Sequence, residues 1–193
     1  MHKILFAGPV GAGKTTAIAS VSDSAVVQTE AKASDEVALR KAKTTVAMDY
    51  GTLKIDSSVT IQLVGTPGQA RFDFMWEILA EGAIGIIIMI DNARLAPLSD
   101  MDHYLEAFRG LIDCGGPAVV AVTRCDLGEG PSIGAYRDHL VRQGRRIPVF
   151  EVDARCRADV KQVLLAMVAL LDPKTRRMHC TANLLAPKSL PTQ

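Results

Sequence analysis

An octapeptide near the N-terminus, Gly8-Pro9-Val10-Gly11-Ala12-Gly13-Lys14-Thr15, constrains the fold more than any other stretch. It fits G-x-x-x-x-G-K-[ST] and stands between an apolar run, Lys3 to Ala7, and a helical stretch from about Lys14 to Val21. Its glycines let the backbone wrap an anionic group with the N–H groups turned inward. The helix beginning at Lys14 adds the positive end of its dipole. Lys14 can neutralise the β and γ oxygens of a nucleotide, and the Thr15 hydroxyl can ligate Mg²⁺. Gly8, Gly11, Ala12, Gly13, Lys14, Thr15 and Thr16 are therefore candidate phosphate-binding residues, with Thr15 also a candidate metal ligand.

Such a loop needs a strand before it and a helix behind it, and the remaining pattern continues that alternation. Val26 to Lys43 has little periodicity and reads as a long loop. Ala47 to Ile55 and Val59 to Val64 read as strands, and the Asp56-Ser57-Ser58 turn between them predicts an antiparallel hairpin. A helix is expected from about Arg71 to Glu81. An all-apolar strand follows over Ile84 to Ile90, then a helix from about Ser99 to Asp113 that Cys114-Gly115-Gly116-Pro117 stops. Strands at Ala118 to Val122 and Pro148 to Val152 and helices at Ile133 to Arg142 and Val160 to Leu171 complete the pattern. The prediction is an α/β domain with a mostly parallel sheet, one antiparallel edge strand and helices on both faces. Residues 1–172 form the domain and 173–193 a tail in which Pro, Lys and Arg are frequent.

Composition narrows the class. With 48% hydrophobic residues the 193-residue chain has material for a sizeable core. Lys plus Arg number 22 against 21 Asp plus Glu, so no net field favours nucleic acid. The four cysteines, Cys114, Cys125, Cys156 and Cys180, have no metal-ligand spacing and read as free thiols. Met1-His2-Lys3 leads straight into a strand, so no signal peptide is expected. Ala83 to Ile90 is too short to cross a bilayer, and neither end offers a lipidation motif. A soluble, cytoplasmic protein without a direct membrane anchor is the expectation.

Beyond the phosphate loop, four further segments arrive in a familiar order. They are Thr45-Val46-Ala47-Met48-Asp49-Tyr50, Gly65-Thr66-Pro67-Gly68-Gln69-Ala70-Arg71-Phe72, Thr123-Arg124-Cys125-Asp126 and Asp153-Ala154-Arg155. In these the chain resembles the Ras superfamily of small P-loop GTPases from Lys3 to Leu171, with residues 1–172 as the GTP-binding domain. It is most similar to bacterial members encoded beside Roadblock-fold proteins, the MglA-like and conservon switches. The resemblance implies the small G-protein fold of the P-loop NTPases, GTP/GDP and Mg²⁺ as cofactors, and a GTP/GDP switch in bacterial polarity, motility or signalling. It also implies effectors that bind the two switch loops and a Roadblock-fold activator. Thr45 then corresponds to the threonine that closes over Mg²⁺ and the γ-phosphate, a catalytic and metal role.

Several of these residues also have a direct chemical reading. Asp126 can accept from both N1–H and the 2-amino group of guanine, where adenine offers an unprotonated N1. The bland reading of Asp126 is an N-cap or turn residue before Leu127-Gly128. Arg124 can lay its aliphatic stem along a base, Ala154 can offer its N–H to guanine O6, and Arg155 completes that loop. Gln69 is the candidate for orienting the attacking water, Gly68 for sensing the γ-phosphate through its N–H, and Lys14 for stabilising transferred charge. Arg40 and Arg71 are candidate internal arginines.

Three departures from the family pattern bear on rate. Gly65 stands where an aspartate usually holds Mg²⁺ through water, which predicts a weaker or rearranged metal site. Thr123 replaces an asparagine and can tether the phosphate loop without reaching guanine N7. Val10 and Pro67 narrow the room around the γ-phosphate, so slow unassisted GTP hydrolysis is expected. Core packing is the commoner fate of the cluster Phe72, Phe74, Met75 and Trp76, while one or two exposed members, Trp76 especially, would make a good partner anchor. Asp91 reads as a structural strand-end residue beside Asn92, and His103 and His139 as helix residues without companions. Two other classes stay open: a nucleotide-binding interaction subunit that does not turn over, and a P-loop ATP-dependent kinase.

Overall fold

The computed structural model describes residues 2–28, 48–55, 59–69, 72–128 and 130–171. Thr45, Arg40, Arg71, the 56–58 turn and the 173–193 tail lie outside the described residues.

The strands are β1 (His2–Ala7), β2 (Val27–Gln28), β3 (Asp49–Lys54), β4 (Thr60–Gly65), β5 (Ala83–Asp91), β6 (Ala118–Thr123) and β7 (Val149–Glu151). They form one sheet in the order β2-β3-β4-β1-β5-β6-β7. Pairing is parallel from β4 through β1, β5 and β6 to β7. β3 runs antiparallel to both of its neighbours. The predicted antiparallel strand is therefore present, but two residues of the expected loop, Val27 and Gln28, pair outside it and take the edge.

The helices are α1 (Lys14–Val21), α2 (Phe74–Ala80), α3 (Pro97–Ala107), α4 (Arg109–Asp113), α5 (Ile133–Arg142) and α6 (Arg157–Leu171). The helix expected over Ser99 to Asp113 starts two residues earlier, with Pro97 in its first turn. It then breaks at Phe108 (φ −101°, ψ 17°), whose ring is buried and fixes the kink in the core.

Strand periodicity divides the core into two layers. Ile4, Phe6, Ile87, Met89, Val119 and Ala121 face one side, with Ile18 of α1 and Val163, Leu164 and Met167 of α6. Leu5, Ala7, Ile86, Ile88, Ile90, Val120 and Val122 face the other, with Trp76, Met101, Leu105, Tyr136 and Leu140. Each such aliphatic side chain contributes about 1.5–3 kcal/mol by leaving water. Because the strands of the central sheet are covered on both faces, their sequences are continuously apolar rather than alternating. The carboxyl ends of β1, β5 and β6 consequently open onto one edge, where the candidate residues gather. Among the described residues no helix is long and apolar enough to cross a membrane.

Candidate nucleotide-binding site

The loop from Gly8 to Gly13 leaves β1 and delivers Lys14 and Thr15 as the first two residues of α1. Gly13 caps that helix at φ 93°, a left-handed conformation that side chains resist. A Cβ there would also lie 3.0 Å from Cβ of Ala154, so the phosphate loop and the loop after β7 approach as closely as their small residues allow.

Lys14 is buried, and its ammonium donates to the carbonyls of Gly8 (2.6 Å) and Pro9 (2.8 Å). Burial pushes its pKa from 10.5 down to about 8, with the charge of Asp49 opposing the shift. Gly68 packs directly over it, because a Cβ on Gly68 would sit 2.6 Å from the backbone nitrogen of Val10 and 2.8 Å from Lys14 Nζ. The Gly68 segment therefore touches the phosphate loop through backbone alone. Pro67 is buried and its carbonyl accepts from Trp76 Nε1 (3.1 Å), whereas Val10 is more than half exposed. Gln69 is exposed, and its carbonyl accepts from the Phe72 N–H at 3.0 Å.

Thr15 Oγ1 donates to Asp49 Oδ2 at 2.5 Å. Asp49, the first residue of β3, lies within the sequence run that resembles an effector loop, yet no role was expected of it. The Thr66 hydroxyl is buried without a hydrogen-bond partner among the described residues. The same residues contain no cluster of three His, Cys, Asp or Glu side chains able to hold a metal by themselves. An oxygen set of this kind suits a hard ion that keeps waters and shares phosphate oxygens, as Mg²⁺ does.

The base side of the site is a cavity of about 520 Å³. Gly11, Ala12, Gly13, Thr16, Thr123, Arg124, Asp126, Ala154 and Arg155, nine of the residues singled out from sequence, line it together. Glu151 and Asp159 line it as well and carried no sequence signal. Thr123 Oγ1 lies 3.2 Å from the carbonyls of both Ala12 and Ile90, which ties the phosphate loop to β5. Asp126 sits exposed in a 3-10 turn, Cys125–Leu127, whose N-cap is Arg124 and uses no side-chain bond. The helix that follows is capped by Ser132 instead. Asp126 is thus not a helix cap, and among the described residues its carboxylate makes no hydrogen bond. Arg124 adopts φ 58°, alone among the described non-glycine residues in having positive φ. Its guanidinium pairs with Asp91 Oδ2 (2.7 Å), whose other oxygen accepts from the Ala93 N–H (3.0 Å).

Arg155 forks onto Asp153 (Nε to Oδ1 and Nη2 to Oδ2, both 2.9 Å), and its N–H also donates to Asp153 Oδ1. These bonds hold the Asp153 carboxyl below its ordinary pKa. The Asp159 carboxylate accepts from the Asp153 N–H (3.0 Å), so α6 begins a turn before Val160 and clamps the loop. Burial pushes the Cys125 thiol up to about 11, which leaves it protonated and unreactive at neutral pH. The three described cysteines are free.

Two expectations are corrected. Trp76 is not an exposed anchor: it is 3% exposed, stacked on Phe108 and packed against Tyr104 and His103. Phe74 and Ile78, one helical turn apart on α2, are the exposed apolar residues there, at 64% and 65%. His139 has companions after all, in Asp102 Oδ2 (2.8 Å) and Gln143. Of the candidate residues, Thr45 and the two candidate arginines, Arg40 and Arg71, lie outside the described residues.

Comparison with known proteins places this geometry. The profile of a family described as conserved hypothetical ATP binding protein matches residues 6–145. The GTP-binding protein YPTM1 of Zea mays is 22% identical over 174 residues, covering 89% of this chain and 78% of its own length. The Ras-related protein Rab-32A of Dictyostelium discoideum is 22% identical over 205 residues, covering 100% of this chain and 88% of its own. An uncharacterized protein of Methanocaldococcus jannaschii is 32% identical over 92 residues, 48% of this chain and 52% of its own. The fold and these matches together describe a nucleotide-binding NTPase.

Proposed function

The chain belongs to the family described as conserved hypothetical ATP binding protein, and we propose that the nucleotide of this member is GTP, hydrolysed slowly by a Ras-like switch. The observation that carries the reading is the convergence of the phosphate loop, Asp126 and Ala154 on one cavity, with the Asp126 carboxylate making no hydrogen bond among the described residues. A carboxylate in that position accepts the two donors on the guanine edge and repels the acceptor N1 of adenine. The family's description as ATP-binding favours adenine instead. Competition binding with GDP and ADP decides, and equal affinities would sink the guanine assignment.

In this reading Lys14 leaves the carbonyls of Gly8 and Pro9 to meet the β and γ oxygens, and the low dielectric of the buried site strengthens the attraction between the opposite charges. Mg²⁺, when bound through Thr15, supplies charge neutralisation at those oxygens. Gly68 contributes its N–H from a segment that already touches the phosphate loop. Gln69, exposed to solvent, orients the attacking water only in a fraction of its conformations. Hydrolysis by the isolated protein is then slow, on the order of 10⁻⁴ s⁻¹ as for an unassisted Ras protein.

The sequence resemblance to bacterial Roadblock-associated GTPases supports a Roadblock-fold dimer as activator. The exposed Phe74 and Ile78 on α2, the helix that follows Gln69 in the chain, are a fitting contact for it. Such a partner acts by fixing the Gln69 pose, so stimulation appears as a rate increase that Gln69→Leu removes while binding in the GTP state persists. Fast hydrolysis by the isolated chain, or full stimulation of Gln69→Leu, would overturn this mechanism.

A further inference from the structure

Position 65 is the place in this fold where a carboxylate toward the metal is expected, and it holds glycine. Gly65 is the last residue of β4, and its cross-strand partner in the antiparallel ladder is Asp49. Directly opposite residues of such a ladder project to the same face. Both therefore face α1, where Thr15 is the second residue and Ile18 packs beside them.

The contacts are specific. A Cβ built on Gly65 would lie 3.0 Å from Asp49 Cβ and 3.0 Å from Asp49 Oδ2, with Ile18 Cδ1 at 3.2 Å. The Asp49 side chain thus fills the space a side chain at 65 would enter. Its Oδ2 lands on the hydroxyl of Thr15, the residue best placed to ligate a nucleotide-bound cation.

We propose that Asp49 is the acidic residue of the divalent-cation site, its carboxylate supplied from β3 across one rung of the sheet to the place that Gly65 leaves open. Asp49 then orients the cation, directly or through a bound water, together with the Thr15 hydroxyl and the phosphates. Glycine at 65 eases this arrangement, because a side chain there would crowd Asp49 and Ile18 and make them give by a few tenths of an ångström. The inference rests on the nucleotide-binding reading above and deepens it.

The test is Mn²⁺ affinity of the GDP-loaded full chain, measured by the electron paramagnetic resonance of free Mn²⁺, beside GDP affinity measured in EDTA. Asp49→Asn should weaken Mn²⁺ binding about tenfold or more, the usual effect of losing a carboxylate that orients a metal site. GDP affinity in EDTA should stay within about threefold, because the phosphate loop is untouched. Gly65→Asp alone should lower thermal stability without tightening Mn²⁺ binding. The double variant Asp49→Ala/Gly65→Asp should regain Mn²⁺ affinity over Asp49→Ala, since it moves the carboxylate back across the rung. A merely structural Thr15–Asp49 bond would not give that rescue. Native Mn²⁺ affinity in Asp49→Asn with intact GDP binding overturns the proposal. If that variant does not fold, a double variant that binds Mn²⁺ no better than Asp49→Ala overturns it equally. Failure of the native chain to bind GDP in EDTA overturns the guanine reading and this inference together.

Discussion

At the phosphate end of the pocket Lys14 is buried beneath Gly68 and held by two carbonyls of its own loop, whereas at the base end Asp126 and Arg155 stand in solvent. The phosphate end is built from backbone that the sheet fixes: Gly8 leaves β1, Asp49 and Gly65 face each other across a ladder, and Thr123 ties the loop to β5. The base end is built from loops closed by exposed side-chain pairs such as Arg155–Asp153. Charges in the first region act in a low dielectric and are coupled to folding, while those in the second act on ligand choice and scarcely on stability.

The largest effect should follow from removing the buried charge. Lys14→Ala is expected to lower nucleotide affinity about a thousandfold, the equivalent of two charge-assisted hydrogen bonds. The fold should stay largely intact. Calorimetric affinity equal to that of the native chain would show that the two ends do not divide the work in this way.

At the base end the expected effect is a change of preference. Asp126→Asn should weaken GDP about a hundredfold and favour XDP, whose 2-oxo group meets an amide donor. Thermal stability should not move, because the residue is exposed and makes no hydrogen bond among the described residues. A large drop in melting temperature would move Asp126 into the fold-coupled class.

The coupling of Lys14 to folding predicts a pH dependence. Its pKa is about 8 in the fold, against the ordinary lysine value of 10.5 that the unfolded chain restores. Between those values the unfolded chain binds more protons, so nucleotide-free stability rises with pH, by at most about 1.4 kcal/mol per unit. Below pH 8 both states are protonated and the contribution is level. Urea unfolding at pH 7.5 and 9 should show the rise in native protein and its loss in Lys14→Met. Cys125, whose raised pKa acts in the opposite sense above pH 9, is common to both chains. Equal slopes for the two proteins would refute the buried-charge account.

A smaller effect concerns the joint between the 66–69 segment and the core beneath it. Trp76 is the single tryptophan, and its indole holds the Pro67 carbonyl. Trp76→Phe should keep the ring stacking and lose about 1 kcal/mol for the hydrogen bond. Native tryptophan emission should shift when GDP is exchanged for a non-hydrolysable GTP analogue. An emission spectrum blind to that exchange would mean the 66–69 segment stays in place.

Much of the site was legible because it is local. The spacing of Gly8 to Thr15 specifies a strand–loop–helix unit, Thr123 ends β6, and Asp153 to Arg155 lie just past the end of β7, strands whose direction their neighbours fix. The hairpin was legible too, and its register carried an unread message: pairing symmetric about residue 57 sets 49 opposite 65. Read with the missing carboxylate at 65, that register would have drawn attention to Asp49. The kink at Phe108 and the two-residue edge strand Val27–Gln28 were not legible, since neither leaves a periodicity of its own.

The sequence by itself determined the order of elements, the phosphate loop and the residue types available at each end of the pocket. These follow from backbone geometry within a few residues, which glycine, lysine and threonine at fixed spacing specify directly. Only the tertiary structure decided which carboxylate meets the Thr15 hydroxyl and which aromatic is hidden. Trp76 and Phe74 share one short helix, and the sequence gives both an apolar ring. The stack on Tyr104 and Phe108, close to thirty residues away, buries the first and leaves the second in water. Cross-strand and cross-helix contacts depend on register and packing between segments far apart in the chain, and no local pattern encodes them.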